Sequence, residues 1–364
     1  MKNKSYKKFE DCIPVRGYFR SVIMDITRKN YHFIPNVLCD AISAGKLIDE
    51  NIPQEYLDYL LENEFVFECT EEELVYYPPL NNKWDYPAHI TNTVIEIDKH
   101  LYINKECLEQ LLDLGCKHFV FIFKNSLVLE WLDKVSKLFD ETQALTIEIY
   151  YKYSKKIKNE MLEEIMKQNP RISYILLYEA PHDEIITPTN IRGNIVYYSK
   201  PVCYDECSVN PQSLIVNMSL YTESLHFNTF YNRKLCIDKQ GNIKNYLTQR
   251  KSFGNFFSDN IEKVIRKKSF KNIWKVKKDL IDVCIECEFR YMCVDSRFPK
   301  LRSKGSYYHT KECAYNPYIC KWKNEEGYIS VSECGTFYRE TGFVPDTEKI
   351  EAINKQLWGE EASE

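Results

Sequence analysis

The first 85 residues alternate short apolar runs with turn residues, and they predict a small module of strands and helices. Amphipathic patterns at residues 36–44 and 53–64 predict two helices. Runs rich in β-branched and aromatic residues predict strands at residues 20–26, 31–34, 65–69 and 74–77. The last two runs surround an acidic turn and predict a hairpin. Together these elements predict a winged-helix-like module over residues 1–85.

Residues 88–225 alternate strand-like runs with amphipathic helical patterns, which predicts parallel β/α units. The six predicted strands are residues 92–98, 119–123, 145–151, 172–178, 194–198 and 213–217. The predicted buried helix faces are Val128, Leu132, Val135 and Phe139, and then Ile157, Met161 and Ile165. Six strands are too few for a closed eight-stranded barrel, so they favour an α/β fold with a partial (β/α)6 barrel. A doubly wound sheet is the competing architecture.

The last third of the chain changes character at about residue 230. The predicted elements are a hairpin at residues 234–238 and 242–246 and helices at residues 259–268 and 272–281. A cysteine-rich segment with little periodicity follows, and its core is so thin that a bound metal would supply much of its stability. We predict one domain over residues 230–345 and a short C-terminal tail over residues 346–364.

The composition argues against several classes of function. The chain has 364 residues, with 49 Lys and Arg against 53 Asp and Glu and a net charge of −4. Because the two signs of charge are mixed along the chain, we expect no nucleic-acid partner. The basic N-terminus lacks a following apolar segment, and no apolar run reaches about 18 residues. We therefore expect no signal peptide, no membrane partner and a cytoplasmic location.

Fourteen cysteines are unexpected in a cytosolic chain, where disulfides are disfavoured. Cys284, Cys287 and Cys293 form the string C-x2-C-x5-C, and Cys313 follows further along. Clustered thiolates are the ligands of soft metals and of iron–sulfur clusters, so this string predicts metal binding. Zinc is the alternative on chemistry alone, with His309 in place of Cys293 as the fourth ligand. The gap before Cys293 is unusual for a zinc site.

The same string resembles the SPASM domain of peptide-modifying radical S-adenosylmethionine (SAM) enzymes. In that family the four corresponding cysteines hold an auxiliary [4Fe–4S] cluster, and the implied ligands here are Cys284, Cys287, Cys293 and Cys313. The hairpin predicted at residues 234–246 resembles the one that opens that domain. That cluster is the second auxiliary cluster of the family, and Tyr246 and Arg297 stand where the family has cysteines that help to hold the first. The resemblance therefore implies one cluster, in a C-terminal SPASM-like iron–sulfur domain.

More closely, residues 284–297 and 313–318 resemble the SPASM-domain maturase of grasp-with-spasm peptide systems. The resemblance implies two partners, a ribosomally made precursor peptide and an ATP-grasp peptide ligase that cross-links it. The N-terminal module would then bind the leader of the peptide by strand addition, with residues 20–26 as the edge strand. The alternative is that this module only caps the barrel.

The motifs for radical chemistry are missing. The family requires C-x3-C-x2-C after the first barrel strand, where this chain has Cys107 alone. A glycine-rich cofactor motif should follow the second strand, where the chain reads Phe123-Lys-Asn-Ser126. We therefore do not expect SAM as a cofactor, and the sequence identifies no catalytic residue.

The remaining cysteines and histidines carry weaker signals. Cys203 and Cys207 form C-x3-C in a predicted loop, and Cys320 and Cys334 are alternatives for the fourth ligand. His226 is a second candidate histidine ligand. Cysteines within regular or helix-flanking patterns are predicted to be small core residues, namely Cys12, Cys39, Cys69, Cys107, Cys116 and Cys236.

Three functions remain open on this sequence. The first is a peptide-maturation component that presents a precursor peptide to the ligase, with a cluster that is structural or contacts the substrate. The second is a redox-active maturase that uses the cluster. The third is a zinc-stabilised binding protein without a redox role.

Overall fold

The computed structural model describes residues 6–43, 52–98, 103, 105–124, 132, 134–135, 137–202 and 209–359. The fold is mixed α/β and divides into two compact units. The first unit comprises the described residues within 1–84, 206–230 and 275–364, and the second unit those within 85–205 and 231–274. Among the described helices, none is both long enough and apolar enough to cross a membrane.

The N-terminal part of the first unit contains a three-stranded antiparallel sheet. In chain order its elements are β1 (Tyr6–Lys8), β2 (Cys12–Arg16), β3 (Ser21–Asp25), β4 (Asn30–Ile34), α1 (Asn36–Ser43), α2 (Gln54–Glu62) and β5 (Val66–Glu68). The sheet order is β2-β3-β4, and β1 pairs with β5. The strands and helices predicted between residues 20 and 64 are confirmed. The alternation of apolar residues located them correctly, although β1 and β2 were not predicted.

Strand β3 is buried on both faces, because successive side chains of a strand point to opposite sides of the sheet. On one side, Ile23 packs in a core with Leu60 of α2. On the other side, Val22 and Met24 pack in a core with Phe289 from the cysteine-rich segment. The N-terminal sheet and the cysteine-rich segment therefore share one hydrophobic core.

Two predictions for this region are wrong. Residues 20–26 do not form an edge strand, because β3 pairs with β2 on one side and with β4 on the other. Residues 65–77 do not form a hairpin, because β5 pairs with β1 and Glu73–Tyr76 is a 3-10 turn. In both cases a strand near the N-terminus that was not predicted is the pairing partner. It is β2 for residues 20–26 and β1 for β5.

The second unit contains a nine-stranded, mostly parallel sheet. In chain order its strands are β6 (Asn92–Ile97), β7 (His118–Phe123), β8 (Thr146–Lys152), β9 (Ile172–Tyr178), β10 (Glu184–Ile186), β11 (Asn194–Tyr198), β12 (Lys234–Ile237), β13 (Asn242–Lys244) and β14 (Gly254–Asn255). The strand order is β10-β11-β9-β8-β7-β6-β12-β13-β14, and the pairs from β11 to β12 are parallel. Five of the predicted strands are confirmed.

Amphipathic helices of the second unit bury apolar side chains. Helix α3 (Lys105–Asp113) buries two leucines, and helix α4 (Asn159–Gln168) buries Leu162 and Met166. Of the predicted face Ile157, Met161 and Ile165, the first is buried and the last partly buried, but Met161 is 39% exposed. The i, i+4 pair that reaches the core begins one residue later than the apolar pattern indicated.

The other predicted helix face is supported where the structure describes it. Leu132, Val135 and Phe139 are fully buried, and Phe139 packs against Phe119 with ring centroids 4.8 Å apart. Val128 lies outside the described residues.

The sixth parallel strand is β12 and not the predicted strand at residues 213–217. Strand β12 pairs in parallel with β6, and it forms the predicted hairpin with β13. Residues 211–213 form a 3-10 turn that leads to helix α5 (Met218–Ser224), in the first unit. Residues 231–274 therefore belong to the second unit, whereas the sequence had placed them with the cysteine-rich domain.

The remaining elements are short except for the C-terminal helix. They are α6 (Ile261–Ile265) and α7 (Lys268–Lys271) in the second unit, and β15 (Lys300–Leu301), β16 (Tyr307–Tyr308), β17 (Tyr315–Asn316), β18 (Lys321–Trp322), β19 (Gly335–Tyr338), β20 (Gly342–Pro345) and α8 (Thr347–Trp358) in the first. The predicted C-terminal helical pattern is thus present. The cysteine-rich segment contains two-residue strands and turns, so side-chain contacts fix much of its shape.

The parallel sheet gives a first testable prediction. Ile149 of β8 is fully buried between Phe121 and Ile175 on neighbouring strands. We expect Ile149→Ala to lower the free energy of unfolding of the second unit by about 2–5 kcal/mol, because it removes buried methyl groups and leaves a cavity. Hydrogen exchange of amides in β7, β8 and β9 against urea concentration measures the change.

The matched control is Ile185→Ala, the same substitution in edge strand β10 of the same sheet. Ile185 is 70% exposed, so its loss should change the unfolding free energy by at most about 0.5 kcal/mol. Equal effects of the two variants would contradict the packing described here.

Candidate metal centre

The first two cysteines of the string lie on one tight turn. Residues Cys284–Glu286 form a 3-10 turn, and the N–H of Cys287 donates to the carbonyl oxygen of Cys284 over 3.1 Å. Val283, just before the turn, has a φ of 67°. A β-branched residue takes this left-handed conformation only where its surroundings enforce it. The turn brings both thiols to the wall of the same cavity.

All four predicted cysteine ligands line that cavity, which lies within the first unit. They are Cys284, Cys287, Cys293 and Cys313, and each is partly exposed. The cavity volume is about 70 Å³, whereas a single water needs about 10–15 Å³ by the same kind of measure. The space therefore accommodates a group larger than one water molecule.

Hydrogen bonds to main-chain carbonyls position the loops that carry the cysteines. The hydroxyl of Thr229 donates to the carbonyl oxygen of Cys293 over 2.8 Å. The guanidinium of Arg297 donates to the carbonyl oxygen of Lys311 over 2.8 Å, two residues before the fourth cysteine. These contacts stabilise two loops that lack extended secondary structure of their own.

A buried carboxylate connects the cysteine turn to the N-terminal sheet. Glu288, next to Cys287, is fully buried, and Arg20 Nε lies 3.1 Å from its Oε1. The hydroxyl of Tyr315 donates to the same oxygen. Burial raises the pKa of Glu288, and the charge of Arg20 opposes this effect. Because a lone buried charge is unfavourable, these partners are needed to hold Glu288 inside the core.

A buried charge network lies beside the thiols. Asp295 is fully buried and accepts hydrogen bonds from Lys278 Nζ at 2.6 Å and from Arg297 Nη2 at 2.8 Å. Although burial alone would raise it, the pKa of Asp295 is held well below its usual range by these two cations. The carboxylate correspondingly raises the pKa of both Lys278 and Arg297, against the effect of burial. All three groups are therefore charged at neutral pH.

His309 lies in the same cavity. Its Nε2 is 3.4 Å from Oδ2 of Asp295, and ligand atoms of His309, Asp295 and Cys284 lie within 4.8 Å of one another. Burial and the positive charge of Lys278 lower the pKa of His309 to about 3, so the imidazole is neutral. A neutral imidazole is a competent metal ligand, which keeps the mixed Cys and His alternative open.

Two of the thiols, those of Cys287 and Cys293, are held in the protonated form in the metal-free protein. Burial raises the pKa of Cys293 to about 12 and that of Cys287 well above its usual value. A coordinating metal ion deprotonates a thiol outright, so metal binding at this site releases protons. The donor set, the space and the nearby cations fit an inorganic group bound by thiolates.

The other candidate cysteines lie elsewhere in the structure. Cys320 is buried in the core that β3 shares with Trp322, and Cys334 is buried near Asn316, whose Nδ2 lies 3.2 Å from its sulfur. Cys203 and Cys207 lie outside the described residues. His226 is at the surface, and its Nε2 lies 2.9 Å from the carbonyl oxygen of Asn82.

The predicted core cysteines are buried, with one exception. Cys12, Cys39, Cys69, Cys116 and Cys236 are each at most 3% exposed. Cys107, in α3, is partly exposed. Of the two segments in which the radical motifs are missing, residues 99–102, 104 and 125–131 lie outside the described residues.

Sequence reasoning missed the network of Lys278, Asp295 and Arg297. The sequence signal was weak, because Asp295 and Arg297 are two residues apart in a segment without periodicity. Lys278 joins them from a separate turn. No pattern in the sequence places these three charges together.

Comparison with protein-family models, with curated proteins and with solved structures found no significant match for this chain. Function must therefore be inferred from the geometry and from the resemblance of the cysteine string.

The cavity predicts selective binding of soft metal ions. We expect metal-free protein to bind Co²⁺ with strong thiolate-to-metal absorption, because several thiols converge on one site. Cys287→Ser should weaken this binding about tenfold or more, which corresponds to about 1.4 kcal/mol. Absorption spectroscopy during anaerobic titration measures the affinity.

Cys107→Ser is the matched control, since Cys107 is also partly exposed but belongs to the second unit. It should leave Co²⁺ affinity unchanged. Full affinity in the Cys287→Ser variant would remove Cys287 from the ligand set.

Proposed function

We propose that this protein is a component of ribosomal peptide maturation that binds one [4Fe–4S] cluster and a precursor peptide. The observation that carries the proposal is the convergence of Cys284, Cys287, Cys293 and Cys313 on one cavity. The resemblance of the same residues to the SPASM domain of grasp-with-spasm maturases supports the choice of cluster and substrate. A cytoplasmic location, where thiols stay reduced, belongs to the proposal.

The cysteines would hold the cluster with one thiolate on each iron. Thr229 and Arg297 would keep two of the ligand loops in position through their carbonyl contacts. When bound, such a cluster cross-links its loops and can carry one electron. The segment around the cavity consists of two-residue strands and turns. A structural role of the cluster is therefore favoured, because the cross-link would stabilise a segment with little regular secondary structure.

Metal analysis tests the cluster. We expect anaerobically purified protein to contain about four irons and four sulfides per chain, as one cysteine-ligated cube requires. Cys287→Ser should lower the iron content severalfold, while Cys107→Ser should retain it. If wild-type protein is colourless and contains one tightly bound zinc, the cluster is wrong and the zinc alternative is correct. The position of His309 beside Cys284 is the observation that favours this alternative.

The peptide would bind at the N-terminal sheet, which we propose to be a winged-helix-like recognition module. Among the described strands, β2 and β4 each pair with β3 alone, and we choose the outer edge of β4 for strand addition, in place of residues 20–26, because β4 contributes to a groove. Phe33 and Ile34, at the end of β4, line a groove of about 870 Å³ whose wall also includes residues of α8. The groove lies wholly within the first unit.

The lining of the groove suits an extended peptide with apolar side chains. Phe33 of β4 is 45% exposed and Trp358 of α8 is 38% exposed. The guanidinium of Arg20 lies over the Phe33 ring, 3.6 Å from its centroid. Exposed aromatic rings are frequent anchors of peptide contacts. Of the charged residues in the groove wall, Arg16 is paired with Asp40, and Lys355 and Glu351 have opposite signs.

The ATP-grasp ligase would be the partner that receives the bound peptide.

We further propose that the second unit is a partial (β/α)6 barrel, supported by its six parallel strands. One face of this sheet is apolar, as at Ile149, and the opposite face carries Glu148 and Tyr150, which hydrogen-bond over 2.9 Å. Absence of SAM binding remains a prediction.

Peptide binding gives a further prediction. We expect Phe33→Ala to weaken binding of the fluorescently labelled precursor peptide about tenfold, because it removes an aromatic anchor beside the edge strand. Fluorescence anisotropy measures the dissociation constant. Leu301→Ala is the control, since Leu301 is 61% exposed in the first unit and is not part of the groove lining.

Equal affinities of the two variants would place the peptide elsewhere. If wild-type protein does not bind the peptide at all, the module instead serves only a structural purpose, and the peptide-binding part of the proposal fails.

A further inference from the structure

Two buried cations lie beside the four cysteines. Lys278 and Arg297 both line the cavity, with side chains only 5% and 7% exposed. Among the described residues, the carboxylate that contacts both cations is that of Asp295. Two positive charges and one negative charge leave one positive charge in excess.

The other charged side chains of the cavity wall do not remove this excess. They are either paired with a partner of opposite sign or exposed to solvent. The pairs are Arg302 with Asp282 at 2.9 Å and Arg290 with Asp279 at 3.4 Å, and the exposed residues are Lys311 and Glu312. His309 does not remove the excess either, because an imidazole never carries a negative charge at neutral pH.

An uncompensated buried charge is strongly unfavourable, and buried ions in proteins are normally paired. The cavity therefore has the electrostatics of an anion site. A [4Fe–4S] cluster with four thiolate ligands carries two negative charges in its oxidised form. It would supply the negative charge that the surrounding protein lacks.

We propose that Lys278 and Arg297 are the counter-charges of the cluster, that they favour its reduced form, and that Asp295 limits their effect. This inference rests on the proposed cluster. One-electron reduction adds a single negative charge to the cluster and breaks no bond. Nearby buried cations therefore stabilise the reduced form more than the oxidised form, and a nearby anion does the opposite.

Lys278 is the better position for a test than Arg297. Arg297 also donates to the carbonyl oxygen of Lys311, so its replacement would disturb the loop of the fourth cysteine. When Lys278 is replaced by an uncharged residue, Asp295 keeps its contacts with Arg297, at 2.8 Å from Nη2 and 3.0 Å from Nε. The excess charge is then removed without leaving the carboxylate alone.

The experiment compares the midpoint potentials of reconstituted wild-type protein and variants, with dithionite as the electron donor. We expect Lys278→Met to shift the potential to a more negative value and Asp295→Asn to shift it to a more positive value. Lys278→Met should also lose iron to a chelator severalfold faster. Lys304→Met is the control, because Lys304 is 63% exposed, and it should shift neither quantity.

Opposite shifts in the two variants are a signature that general destabilisation does not produce. Lys278→Arg keeps the charge and should restore the wild-type potential, which covers the case in which Lys278→Met folds poorly. Clusters with equal potentials in all variants would overturn the inference and leave the proposed cluster intact. A wild-type protein that takes up no iron would overturn the cluster itself, and the inference with it.

Discussion

The packing of the N-terminal sheet against the cysteine-rich segment is the interaction on which the first unit depends. The segment that carries the four cysteines contains little regular structure, so its backbone cannot hold the thiols in place by itself. Its Phe289 and Met292 enter the core of Val22 and Met24 instead. The buried ion pair of Glu288 and Arg20 adds a polar contact at the same boundary. Separated from the sheet, the segment would expose the apolar side chains that it contributes to this core.

This shared core also connects the two candidate sites of the first unit. Arg20 stacks over Phe33, which lines the groove, and it pairs with Glu288, which is adjacent to Cys287. One side chain thus contacts both the wall of the proposed peptide site and the turn of the proposed cluster ligands. A cluster in the cavity would therefore stabilise the loops that support the groove. The connection requires no contact from the second unit.

The apolar pattern of the sequence predicted much of the fold, because long buried strands and amphipathic helices leave a periodic signal. The parallel strands from β6 to β11 were found in this way. The failures share a physical cause, which is pairing between distant segments. The sequence predicts strand β12 as one strand of a local hairpin, and β12 does form this hairpin with β13. Its other edge, however, pairs with β6, which lies more than 130 residues earlier in the chain. Likewise β5 pairs with β1, whose three residues carry no periodic signal.

In the candidate site, too, some features are predictable from the sequence and others are not. Three thiols in a short string, with a fourth further along the chain, are recognisable without a structure, because metal ligation needs particular residue types at close spacing. The charges around them are not recognisable, since Lys278 reaches Asp295 from a different turn and any lysine on a loop is exposed by default. Arg297 illustrates the consequence. The sequence identifies it only as a missing cysteine, whereas in the structure it pairs with a buried carboxylate and fixes a ligand loop. At the position where the resemblance implies a cysteine, the chain thus carries a positive charge beside the four thiols.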